Sequence, residues 1–159
     1  MGLVFALFGA TIAVALPCIG AGIGVAGVQK VSAKVAAEQP EKFASTLVLQ
    51  LVPTSAGLYG FVVGFMVILS TVMGGAVPTV TGGIILLAAC CPVGLCDLFV
   101  TMAQGKVCEA GVKMIAKNGE LSGRALTMSV ISELFNLFGF IVSILAVMMI
   151  TGDPALIQA

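Results

Sequence analysis

Ser129-Val130-Ile131-Ser132-Glu133-Leu134-Phe135-Asn136-Leu137-Phe138-Gly139-Phe140 is an apolar run with one carboxylate near its middle. The uninterrupted helical pattern that contains it extends from Ser122 to Ile150. At ~1.5 Å per residue that is ~43 Å, ample for a hydrocarbon layer of ~30 Å. Glu133 then lies ~16 Å from the Ser122 end, near the midplane. A charged carboxylate at that depth is costly, so an acid kept there is expected to carry a proton or a metal ion. A plainer role, a neutral Glu donating one interhelical hydrogen bond, stands beside that reading.

The composition agrees with a membrane setting. The chain has 159 residues, 60% hydrophobic and 9% charged, with no His or Trp and a mean hydropathy of +1.21. Soluble domains carry about 25% charged residues. So few charges cannot cover a soluble surface, and an all-α integral membrane protein is predicted. The seven basic residues (Lys30, Lys34, Lys42, Lys106, Lys113, Lys117 and Arg124) fall in two windows, 30–42 and 106–124. The positive-inside rule puts both windows in the cytoplasm, with both ends of the chain on the outer side. The first residues lack a basic segment before the apolar run, so the chain is expected to start directly in a spanning helix. Five cysteines (Cys18, Cys90, Cys91, Cys96 and Cys108) lie in apolar segments without a CxxC pair. They are read as packing residues, not as disulfides or zinc ligands.

Outward from Glu133, four spans are predicted. The first, Gly2 to Ala36, contains Pro17 and the small-residue run Gly20-Ala21-Gly22-Ile23-Gly24-Val25-Ala26-Gly27, suited to close packing on copies of itself or on its neighbours. No strand precedes these glycines, so they do not read as a dinucleotide loop. Residues 37–44 form a polar turn broken by Pro40. The second span, Ser45 to Val72, is interrupted at Pro53, which leaves the carbonyl of Leu49 without its helical partner beside Thr54 and Ser55. A short turn at 74–78 leads to the third span, Val80 to Ala116. A second cytoplasmic turn at 117–121 leads to the Glu133 helix, which Gly152-Asp153-Pro154 ends. Gln104 lies ~20 Å from Lys117 along its helix, level with Glu133 across the hairpin. Asp97, Thr101 and Gln104 are spaced i, i+4, i+7 and share one helix face. Asn136, one turn beyond Glu133, is opposite Thr101 in the same register.

The chain repeats at an offset of 79 residues. This pairs Lys34 with Lys113, Glu41 with Glu120, and Leu58-Tyr59-Gly60-Phe61 with Leu137-Phe138-Gly139-Phe140. Thr54 falls opposite Glu133. Two tandem helical hairpins are predicted, 1–79 and 80–159, with the carboxylate only in the second. Both have the same orientation, unlike the inverted repeats of many secondary transporters.

Five segments, Gln39-Pro40-Glu41-Lys42-Phe43, Leu49-Gln50-Leu51-Val52-Pro53, Gly57-Leu58-Tyr59-Gly60-Phe61, Ala103-Gln104-Gly105-Lys106 and the Glu133 helix, resemble the proteolipid of V-type ATPases, and in particular the bacterial subunit K of the sodium-transporting kind. The resemblance covers essentially the whole chain. It implies a rotor ring of four-helix protomers, with the Gly-rich first and third helices inside. It implies further copies of the chain, a stator subunit bearing an arginine, central-stalk subunits and lipid as partners, and no nucleic acid. A bacterial plasma membrane is the implied location. No nucleotide chemistry is expected in this chain, which has no Walker motif, and no cofactor beyond the transported Na+ or H+.

Carried over by position, the family's sodium ligands fall on Glu133, Gln104, Ser55, the carbonyl of Val52 and Ala56. Ser55 stands where the sodium type has Thr, and Ala56 where it has Gln, so one oxygen is lost. Hard cations want several oxygen ligands, and the remaining set favours sodium while leaving protons open. Tyr59 matches the tyrosine that steers the carboxylate. Asp97 departs from the family's Gly. Its plain reading is a protonated or water-solvated residue lining a packing gap; the sharper one is a second acid sharing a proton or a network with Thr101 and Asn136, with at most one of the two acids ionised when no cation is bound. Two other classes compete: a self-contained four-helix channel or transporter, which would need polar residues through the full membrane depth, and a structural proteolipid that uses Glu133 only as a hydrogen bond.

Overall fold

A computed structural model describes residues 1–75 and 77–158; Ala76, inside the expected outer turn, and Ala159 lie outside the described residues. Four long helices fill the chain: α1 (Gly2–Glu38), α2 (Pro40–Met73), α3 (Val80–Lys117) and α4 (Gly119–Thr151). Each is long and apolar enough to cross a membrane. They form two successive hairpins, α1 with α2 and α3 with α4, as the repeat requires. The helices overrun the expected bounds by one to five residues, most at the start of α2, where Pro40–Lys42 form a 3-10 turn and a proline in the first turn lacks only an N–H that would be unpaired anyway.

Small residues set the layering. α1 packs along the length of α3, with α2 lying on α1 and α4 on α3. The close approach is backbone to backbone: a Cβ added at Gly105 would stand 2.5 Å from Gly24 Cα, and one at Gly24 would stand 2.8 Å from the Thr101 carbonyl. The glycine run is therefore occupied by α3 of the same chain, which is the neighbour reading of that run. The large side chains of α2 and α4, among them Phe61, Phe65, Ile131, Leu134, Phe135 and Phe138, remain exposed. An apolar exterior over a small-residue interior is what lipid permits and water does not.

Both ends of the bundle are fastened. At one end Lys42 Nζ donates to the Ala116 carbonyl at 2.8 Å, joining the α1–α2 turn to the last turn of α3. At the other end β1 (Val77–Pro78) pairs antiparallel with β2 (Ile157–Gln158). There Thr79 Oγ1 accepts from the Gly82 N–H at 3.0 Å, capping α3, and donates to the Leu156 carbonyl at 3.1 Å. Gly75, at φ +70, makes the left-handed bend before β1. The tail strand has no counterpart among the sequence expectations, which ended at Gly152-Asp153-Pro154.

Candidate functional site

The site lies at mid-span, where α2, α3 and α4 meet. Pro53 sets it up. The α-helical ladder of α2 stops at Leu51, Val52–Thr54 turn as a 3-10 helix, and α-helix resumes at Ser55. The tighter turn divides the two hydroxyls that the sequence placed beside the proline. Thr54 is exposed, its Oγ1 donating to the Leu51 carbonyl at 2.6 Å, while Ser55 faces α4.

Glu133 is half-buried and bonded from two helices. Ser55 Oγ of α2 is 2.5 Å from Glu133 Oε1, and Gln104 Nε2 of α3 donates to Glu133 Oε2 at 2.7 Å. The same Gln104 amide donates to the Ser129 carbonyl at 3.3 Å, which anchors it one turn before Glu133 on α4. Gln104 Oε1 is buried without a donor. Val52 joins through its carbonyl, 2.8 Å from Ser55 Oγ. One hydroxyl proton therefore faces two acceptors, Val52 O and Glu133 Oε1. A proton on Glu133, donated to Ser55 Oγ while Ser55 donates to Val52 O, gives every oxygen in that line a partner. So Glu133, Gln104, Ser55 and Val52 are brought together. Ala56 is fully buried and contributes no oxygen side chain.

The supporting residues divide. Tyr59 neighbours both Ser55 and Glu133, and its ring stacks on Phe140 with centroids 5.1 Å apart. Asn136 Nδ2 donates to Thr101 Oγ1 at 3.2 Å, as the hairpin register requires. Asp97 makes no hydrogen bond to either: both of its carboxylate oxygens are buried and unpartnered. Of the expected shared network the Thr101–Asn136 bond is formed, and Asp97, one turn from Thr101, adds no bond to it as a bare carboxylate. Two positioning contacts escaped the sequence reading. The Ser129 carbonyl orients Gln104, a backbone contact that no side-chain spacing announces. Ser143 Oγ accepts from the Val93 N–H at 3.0 Å, tying α4 to α3 just after Pro92.

Two tandem hairpins of membrane-spanning length, with a half-buried carboxyl held between a serine and a glutamine, define a class of helical integral membrane proteins. The model of the ATP synthase C-subunit family matches the chain twice, over residues 8–67 and 87–146, and the chain belongs to that family. The two matches are themselves 79 residues apart, the offset of the repeat. The chain is 35% identical over 147 residues to the V-type sodium ATPase subunit K of Enterococcus hirae, covering 92% of each chain. It is 32% identical over 145 residues to the A-type ATP synthase subunit K of Methanocaldococcus jannaschii, covering 90% of this chain and 61% of that relative.

Proposed function

We propose that this chain is a rotor-ring subunit of a V/A-type rotary ATPase and moves a monovalent cation, sodium, by loading and unloading Glu133. The observation that carries the reading is the Glu133 carboxylate itself. It stands half-buried at mid-span, one oxygen held from α2 and the other from α3, among exposed apolar side chains. A group so placed is tolerable in lipid only when neutral. Loaded with a cation it crosses the lipid-facing arc of the ring; beside a stator arginine it becomes a free carboxylate and releases the ion. Rotation and transport are then coupled by charge alone. Nucleotide chemistry belongs to other subunits of the same machine.

Sodium is supported by the oxygens around Glu133. Ser55 Oγ and the Val52 carbonyl lie in line with Glu133, and turning the Gln104 amide over would add its unpaired Oε1, more acceptors than a proton requires. The sodium ATPase relative from Enterococcus hirae points the same way. A second reading, protons, is favoured by one observation: the Ser55 hydroxyl, 2.5 Å from Glu133 and 2.8 Å from Val52 O, is saturated when Glu133 carries a proton. The basic turns would face the cytoplasm and the central stalk, and the membrane would be the bacterial plasma membrane.

Labelling of Glu133 by a hydrophobic carbodiimide, which attacks only the protonated acid, tests both readings. Labelling that stops ATP-driven transport supports the rotor. Protection by millimolar sodium, stronger as pH rises and protons compete less, supports sodium. Labelling indifferent to sodium from mild acid to mild alkali assigns the ring to protons. Transport that continues with Glu133 fully labelled, or with Glu133→Gln, overturns the rotor mechanism.

A further inference from the structure

α3 carries a second acid that the Glu133 site does not use. Asp97 is 0% exposed, and both of its carboxylate oxygens lack a hydrogen-bond partner. It is one turn from Thr101, and two turns, ~10 Å along the axis, from Gln104. Thr101 Oγ1 takes the Asn136 Nδ2 proton, and Asn136 Oδ1 is left buried without a donor. Asp97, Thr101 and Asn136 are all fully buried. Three acceptor oxygens on these neighbouring turns, Asp97 Oδ1 and Oδ2 and Asn136 Oδ1, are thus buried without a donor.

Backbone donors of α3 and α4 around Asp97 serve their own helices, and the Val93 N–H one turn away is taken by Ser143 Oγ. The charged and titratable groups facing Asp97 are Glu133 on α4 and Tyr59 on α2. α1 approaches through Gly20, where a Cβ would stand 2.8 Å from the Asp97 carbonyl. The basic residues are confined to 30–42 and 106–124, away from this depth. A bare carboxylate would therefore be buried with no basic residue beside it and neither oxygen hydrogen-bonded, a state proteins avoid. One added proton removes the charge and supplies the donor that Asn136 Oδ1 lacks.

We propose that Asp97 is a second cation-binding group, a proton site separate from Glu133, which holds its proton throughout the cycle as an O–H donor to Asn136 Oδ1. The inference deepens the rotor reading without depending on the transported ion. Each protomer would carry one resident proton and one exchanging cation, and only the latter would be discharged at the stator. Were Asp97 ionised, a sodium ion on Glu133 would leave the protomer with a net negative charge in lipid.

The test is infrared spectroscopy of the full chain reconstituted in lipid at neutral pH, in a Glu133→Gln background that removes the other mid-span acid. The carbonyl stretch of a protonated carboxylic acid should be present, shift on deuteration, and vanish in Glu133→Gln/Asp97→Asn. Should that double variant fail to fold, Glu133→Gln/Asn136→Leu serves instead: the band should persist but move to higher wavenumber as its acceptor is lost. Absence of the band in the Glu133→Gln protein overturns the proposal. A band that appears only after sodium is removed also overturns it, because Asp97 would then hold a metal cation. Carbodiimide labelling of Glu133 in the wild type is read separately, so failure of the rotor mechanism and failure of the Asp97 proton are distinguishable.

Discussion

Ser55 and Glu133, 78 residues apart in sequence, meet across the two hairpins with Oγ 2.5 Å from Oε1. The carboxyl group of the second hairpin is thus held by a hydroxyl of the first. A single hairpin of this chain does not contain the site. The duplication that left α2 without an acid gave it the task of holding one.

Removing that hydroxyl should weaken cation binding and spare the fold, because Ser55 is half-buried and an alanine fits its place. A hydrogen bond to a charged group contributes about 1.5 kcal/mol, so Ser55→Ala should raise the sodium concentration for half-protection of Glu133 about tenfold. Ser55→Thr, which retains the hydroxyl, should restore it. Equal protection in wild type and Ser55→Ala would remove Ser55 from the site.

Gln104 makes two bonds to α4, one to Glu133 and one to the Ser129 carbonyl. Gln104→Ala should abolish most sodium protection while leaving carbodiimide labelling intact, because labelling needs only the Glu133 carboxyl group. Labelling lost together with protection would mean that Gln104 supports the helix packing and not the cation.

Gly24 lies against the Thr101 carbonyl. Gly24→Leu should therefore part α1 from α3 inside one chain before any question of ring assembly arises. The expected result is a chain that inserts in the membrane but is protease-sensitive and forms no ring on a native gel. A ring of normal size and protease resistance would contradict the backbone contact.

Sidedness is read from charge alone. Asn118 is exposed between α3 and α4. A membrane-impermeant thiol reagent should label Asn118→Cys from the cytoplasmic side only. Labelling from outside would invert the orientation of all four helices.

The fold was largely legible because lipid makes sequence rules strict. Backbone polar groups must be satisfied within a helix, so apolar length and breaks at Pro40 and at 74–78 mark the spans. The repeat then supplies the register that puts Gln104 beside Glu133 and Asn136 beside Thr101. What was not legible depended on side-chain direction. Thr54 and Ser55 are adjacent and chemically alike, and only the 3-10 turn at Pro53 decides which one faces α4. Asp97 shares a face with Thr101, yet periodicity cannot say whether two polar groups on one face will bond. The clasp of residues 77–78 with 157–158 rests on backbone pairing over two residues, too short for any pattern to announce.

That clasp and Lys42 lie at opposite ends of the helices, with Ser55 and Gln104 gripping Glu133 between them. Mechanically the protein is a pair of beams pinned at both tips and coupled at the centre. A sideways force on the carboxyl group cannot shear one hairpin past the other without breaking a pin. A push on the carboxyl group is met at three heights, by the clasp, by Ser55 and by Lys42.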